Sequence, residues 1–170
     1  FDNKSEFEVL LDMPPGTPLE RTLAVATDMT RELAKRPEVE RWVVYDGLGS
    51  PITFNGLVRH YDTFRVDPRF ASIQVNLVEG KHRKAQSHAI ARELRPSLEI
   101  IAKRFGARVK VVEVPPGPPV MSTLVAEVYG PDLNGQRAFA QHGLGAFEQT
   151  DGVVDTGIML TEGQPRTRLV

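Results

Sequence analysis

Apolar residues in the first two thirds of the chain follow two alternating periods. Runs with strand-like alternation or continuous apolar character are separated by stretches with apolar residues every three or four positions. The pattern predicts strands at residues 6–13, 39–45, 70–78 and 108–114, and helices at 18–36 and 83–105. The order is therefore βαββαβ, which is typical of the split-βαβ, or ferredoxin-like, motif.

Turn and capping residues support these boundaries. Thr17 and Glu20 have the spacing of a capping box around Pro18, which predicts that Thr17 caps the first helix. Pro96 lies inside the second predicted helix and is expected to kink it. Gly106 follows that helix and is expected to end it in a left-handed conformation.

A second, shorter module is predicted after the proline-rich stretch 115–119, which is suited to a stiff spacer. Its elements are a strand at 121–129, a helix at 132–150 capped by Asp132, and a strand at 152–160. Residues 166–170 form only a short alternating stub. We therefore expect an α+β protein with tandem ferredoxin-like subdomains. The first (residues 1–116) is complete, whereas the second (117–170) is partial and belongs to a larger parent.

One long segment, residues 46–69, has little periodicity and contains several glycines and prolines. Loops of this length in compact domains are usually functional or disordered. Its apolar and aromatic residues either close over a ligand or plug the end of the first module. These residues are Leu48, Ile52, Phe54, Leu57, Tyr61 and Phe64.

Composition excludes several kinds of chemistry. The formal net charge is −1, which argues against a nucleic-acid partner. The chain has no cysteine, and its four histidines show no metal-ligand spacing. No nucleophile motif or dinucleotide fingerprint is present. We therefore expect no enzymatic activity, no cofactor and no resident metal. The four methionines leave one alternative open, because thioethers at Met13, Met121 and Met159 suit soft metal ions.

Residues 6–22, from Glu6 through Pro14-Pro15-Gly16 to Thr22, resemble the start of the second large periplasmic loop in resistance–nodulation–division efflux pumps of the acriflavin-resistance type. The similarity continues, in the same order and spacing, over most of the chain. The further matching segments are residues 37–40, 47–56, 71–77, 114–119, 152–155 and 166–170.

This resemblance implies a parent that is a proton-driven homotrimer in the bacterial inner membrane, working with a periplasmic adaptor and an outer-membrane channel. The chain would be the periplasmic part that contains two porter subdomains. In this family a docking insertion interrupts the second subdomain, which would explain its partial form. The acidic residues that carry protons lie in membrane helices outside this chain.

The resemblance also implies a site for hydrophobic or amphiphilic compounds in a cleft between the subdomains, gated by a switch loop. That loop falls on residues 47–56, and the site residues carried over are Leu10, Leu48, Gly49, Phe54, Asn55, Gly157 and Met159. Gly157 and Met159 stand where drug pumps have polar residues. Two alternatives therefore remain: a free-standing ligand-binding or regulatory protein with tandem ferredoxin-like modules, and a copper or silver pump of the same family.

Overall fold

The computed structural model describes residues 3–50, 66–113 and 124–158. The chain divides into two compact units, Phe1–Met121 and Ser122–Val170. Among the described residues, no helix is both long enough and apolar enough to span a membrane. The boundary that we predicted at residue 116 lies outside the described residues.

The first unit is an antiparallel four-stranded sheet with two helices. Its elements, in chain order, are β1 Glu6–Asp12, α1 Leu19–Leu33, β2 Val39–Asp46, β3 Phe70–Leu77, α2 Ser87–Arg104 and β4 Arg108–Glu113. The strand order is β2-β3-β1-β4, so β1 and β3 are central and β2 and β4 are the edges. This topology confirms the predicted α+β, ferredoxin-like fold.

The core lies between the helices and one face of the sheet. Alternate strand residues such as Val9, Leu11, Ile73 and Val75 point toward the helices and are fully buried. The helices contribute apolar residues at three- and four-residue spacing, namely Val25, Met29, Leu33, Ile90, Leu94 and Leu98. Met13 also belongs to this core, so neither Met13 nor Met29 is exposed.

The start of α1 differs from the prediction. Its N-cap is Pro18, which supplies no capping side chain. The Thr17 hydroxyl instead donates to the Pro14 carbonyl at 2.7 Å, and the Thr17 amide donates to the same oxygen at 3.2 Å. The predicted capping box is therefore wrong, because the preceding turn through Gly16 uses Thr17 to close itself.

Helix α2 begins at Ser87, four residues later than predicted. A short 3₁₀ helix at Gly80–His82 precedes it. The Arg83 guanidinium holds the neighbouring residues, since it donates to the carbonyls of Val78, Ala85 and Lys4 at 2.9, 2.6 and 2.9 Å. The N-terminal cap of the helix comes from a distant residue, since the Asn3 side-chain oxygen accepts the Ser87 amide at 3.0 Å. A guanidinium can satisfy several carbonyls at once, so it substitutes here for a first helical turn.

Helix α2 continues through Pro96 and ends as predicted. Gly106 has φ of +63°. The Ala107 amide donates to the Ala102 carbonyl at 3.0 Å, and the Gly106 amide donates to that of Lys103 at 3.2 Å. These are the two bonds of a Schellman motif, so Gly106 is confirmed as the residue that ends the helix.

The second unit contains one described helix, α3, at Leu133–Glu148. The predicted cap is confirmed, because the Asp132 carboxylate accepts the Gly135 amide at 2.7 Å. The flanking segments differ from the prediction, since residues 124–129 and 152–158 form no strand. The first two strands of a split-βαβ module are not neighbours. Each therefore needs an intervening strand, and residues 124–158 contain none. No described residue of this unit is buried.

Candidate functional site

The candidate site is built around the point where the long segment leaves and rejoins the sheet. We call residues 46–50 and 67–70 the loop root. The Gly47 amide donates to the Phe70 carbonyl at 2.8 Å, and the Phe70 amide donates to that of Asp67 at 3.0 Å. The Met13 amide donates to the Arg69 carbonyl at 2.9 Å. Both ends of the segment are therefore fixed to the central strands at one corner of the sheet.

Gly47 is favoured at this corner by its backbone conformation. Its φ of +70° is a conformation that residues with a side chain rarely adopt. A Cβ placed on Gly47 would lie 2.8 Å from Leu19 Cδ1, at the first residue of α1, but this exposed side chain can move aside. The glycine therefore allows β2 to turn sharply under the start of α1.

A polar contact ties the next part of the loop root to the sheet. The Ser50 hydroxyl donates to the Glu8 carboxylate, with 2.7 Å between Oγ and Oε1. Ser50 is buried, and Glu8 lies at the centre of β1 on the face that points away from the helices. Ser50 of the predicted switch loop therefore lies against this face, which we call the helix-free face.

Two buried residues meet on the helix-free face. Leu10 of β1 lies opposite Ser72 of β3, and their exposed fractions are 1% and 0%. The Ser72 hydroxyl is buried without a hydrogen-bond partner among the described residues. Lys110 of β4 lies opposite Leu10 on its other side. This face therefore combines an apolar centre with polar and charged neighbours.

Asp46 provides a titratable group at the loop root. Burial, and secondly the nearby Glu20 carboxylate, raise the pKa of Asp46 above its usual range. Its Oδ1 atom is buried and accepts no hydrogen bond from the described residues. On the other side of the root, the Arg69 guanidinium stacks on the Phe70 ring at 4.3 Å from its centroid.

The structure places the predicted site residues in different environments. Leu10 is buried and presents almost no surface to a ligand. Leu48 is 55% exposed and Gly49 is half-buried, so both are accessible at the loop root. Gly157 is exposed in the second unit. The remaining three, Phe54, Asn55 and Met159, lie outside the described residues.

Sequence reasoning missed two polar residues of the loop root, Ser50 and Asp46, and also Glu8 of β1, which contacts Ser50. Glu8 had a detectable signal, because it is the only charged residue in the interior of β1, between Phe7 and Val9. The partner of Glu8 could not be found in this way, since Ser50 is 42 positions away. Asp46 looked like an ordinary strand end, and its burial depends on how α1 packs.

The described residues form no candidate site for a metal ion. They contain no group of three or more His, Cys, Asp or Glu side chains arranged to hold a metal ion. The His88 ring nitrogen Nδ1 lies 2.9 Å from Glu113 Oε2, which explains that histidine as a structural pair between α2 and β4. Met121 and Met159 lie outside the described residues.

Comparison with known proteins identifies the fold. No protein-family model matches the sequence, and neither does any curated protein. The chain is similar to part of a heavy metal efflux pump in crystal form I, with a TM-score of 0.67 at 18% identity. It is also similar to such a pump in crystal form II, with a TM-score of 0.57 at 16% identity. The matches cover 97% and 89% of this chain, but only 17% and 15% of the pumps.

Proposed function

We propose that this chain is the periplasmic porter portion of a resistance–nodulation–division efflux pump. The observation that carries the proposal is the structural likeness to an efflux pump over 97% of the chain. The ordered sequence resemblance described above supports the same assignment. In this proposal the parent is a homotrimer in the inner membrane, with an adaptor and an outer-membrane channel as partners. The chain itself binds substrate transiently and catalyses no covalent reaction.

The loop root supports a gating role for the segment that it holds. Its ends are fixed by the backbone hydrogen bonds of Gly47 and Phe70 and by the contact between Ser50 and Glu8. Binding loops are positioned by a rigid scaffold, and the loop root provides such a scaffold. Leu48, which is 55% exposed at the root, offers apolar surface to a passing compound.

Hydrophobic or amphiphilic compounds are the proposed substrates. In the parent pump, Phe54→Ala should reduce efflux of amphiphilic dyes, because the aromatic ring would contact the ligand from the loop. Ile100→Ala is the matched control, since Ile100 is an exposed apolar residue on α2. Efflux is measured as dye accumulation in cells at equal expression. Unchanged export of several unrelated dyes by the Phe54 variant would contradict the proposed site.

Heavy metal ions are a second candidate, because the two similar structures named above are both of a heavy metal efflux pump. Met13 and Met29 are buried in the core and do not offer thioethers to a passing ion. A metal role therefore rests on Met121 and Met159. Titration with Ag⁺ should show binding that is lost in the Met121→Leu, Met159→Leu double variant and retained in Met29→Leu. Failure of the native chain to bind Ag⁺ or Cu⁺ would exclude this candidate.

A further inference from the structure

The two edges of the sheet in the first unit differ in how their backbone groups are satisfied. On β4, the Arg95 guanidinium of α2 donates to the Val111 carbonyl at 3.2 Å, so a side chain occupies part of that edge. The β2 edge has no such cover among the described residues. Exposed strand edges of soluble proteins are usually protected in some way, so this difference between the edges is informative.

The open backbone groups of β2 can be identified from the pairing pattern. Gly47 and Phe70 form a hydrogen-bonded pair, with the Gly47 amide 2.8 Å from the Phe70 carbonyl. Hydrogen-bonded and non-bonded positions alternate along an antiparallel pair. The N–H and C=O groups of Trp42, Val44 and Asp46 therefore point away from β3. No described residue pairs with them.

The side chains along this edge are apolar in its middle. Trp42 and Val43 are 37% and 43% exposed and lie on opposite faces of the strand. On the helix side, Leu19 of α1 is 41% exposed and lies near Gly47 at the end of β2. An open edge beside apolar side chains is the arrangement that proteins use to bind a peptide as an added strand.

Charges of opposite sign lie near the two ends of the edge. Arg41 is exposed, lies on the helix-free side and forms no ion pair with the described residues. Asp46 lies on the helix side, where its Oδ1 atom has no hydrogen-bond donor among those residues. An antiparallel strand would compensate both charges if it carried an acid opposite Arg41 and a base opposite Asp46.

A second copy of this chain does not meet that requirement. Residues that lie opposite each other in an antiparallel pair share a face of the sheet, whereas Arg41 and Asp46 lie on different faces. Antiparallel pairing of two β2 strands about a twofold axis therefore never places Arg41 of one copy opposite Asp46 of the other. Pairing centred on Trp42 or Val43 also places Asp46 opposite an acidic residue of the other copy. The charge pattern favours a different segment.

We propose that the outer edge of β2 binds an extended peptide segment as an antiparallel fifth strand. The segment carries an acidic residue opposite Arg41, a basic residue opposite Asp46, and apolar residues opposite Trp42 and Val44. The backbone groups of β2 supply the affinity, and the two charges set register and direction. This role is independent of any transport activity.

The test uses a blocked peptide that reads lysine, threonine, valine, threonine, valine, glutamate from its N-terminus, which matches β2 in antiparallel pairing. The control peptide has the lysine and glutamate exchanged, so its composition is identical. Trp42 is the only tryptophan, so its fluorescence reports binding at this edge. The matched peptide should bind about tenfold more tightly, because cross-strand charge pairs stabilise and like charges destabilise by comparable amounts.

The Arg41→Glu variant separates charge recognition from non-specific adhesion. It should bind the matched peptide more weakly and lose most of the preference between the two peptides, while its circular dichroism spectrum and melting temperature stay close to those of the native chain. Equal binding of both peptides to the native chain would overturn the proposal. It would also be overturned by an unchanged Trp42 signal at millimolar peptide. A Trp42 signal that depends on protein concentration alone would show that a second copy occupies the edge.

Discussion

At the scale of single residues, a few positions control the corner where the long segment meets the sheet. Gly47 provides a left-handed turn under Leu19, and Asp46 places a carboxylate beside Glu20 in a poorly hydrated position. Neither residue belongs to the core. Gly47 sets the geometry of the loop root and Asp46 sets its charge. Substitutions at these two positions therefore test the strained turn and the partly buried carboxylate directly.

Gly47→Ala should destabilise the first unit by about 1–3 kcal/mol, the usual range for a strained backbone position. The strain comes from φ of +70°, since the exposed Leu19 side chain can move away from the added methyl group. The measurement is the free energy of unfolding from urea titration. Gly143→Ala is the control, because a Cβ there meets nothing within 4 Å and alanine favours the helix. Equal stability of Gly47→Ala and the native chain would show that the turn is not constrained.

Asp46 should make stability fall as the pH rises. Burial and Glu20 raise its pKa in the folded state. The folded state therefore holds the proton more tightly than the unfolded state does. The resulting stabilisation is fully present below the pKa of the unfolded chain, and it is lost as the pH rises through the folded value. In Asp46→Asn this component should vanish. The test is the free energy of unfolding of the native chain and of Asp46→Asn as a function of pH, from the pH range where aspartate usually titrates upward.

At the scale of elements, long-range contacts decide where the helices begin. Thr17 is adjacent to α1 but closes a turn, whereas Asn3 caps α2 from a position 84 residues away. Capping rules identify suitable residue types near a helix start. They do not identify a donor or acceptor that folding brings in from another part of the chain.

Asn3→Ala should therefore lower stability by about 1 kcal/mol, the typical cost of removing a side-chain cap. Thr17→Ala is the matched control: it occupies the position that looks like a cap in the sequence, and it should cost less because it caps no helix. Thermal unfolding of both variants gives the comparison. A larger loss in Thr17→Ala than in Asn3→Ala would contradict these assignments.

At the scale of the whole molecule, the two units differ in how much they bury. The first has a continuous core between its sheet and helices. In the second, no described residue is buried, and several large apolar side chains are exposed, namely Leu124, Val125, Tyr129, Leu133, Phe139 and Val154. A helix without buried contacts has little tertiary stabilisation.

Backbone amides of α3 should therefore exchange with solvent much faster than those of α1. Exchange reports local opening, which is easiest where few buried contacts hold an element. The measurement is hydrogen exchange of the intact chain, followed residue by residue. Residues 135–148 and 22–33 are compared because both lie within helices. Equal protection of the two helices would show that α3 is covered in solution.

The sequence by itself determined the order of the elements in the first unit, because the periods of two and about 3.6 residues follow directly from strand and helix geometry. It also determined the caps at Gly106 and Asp132, which act within their own helices. Only the tertiary structure decided that Leu10 is buried, that Ser50 reaches Glu8, and that the strand edges differ. These properties depend on which distant segments meet, and local periodicity carries no record of such contacts.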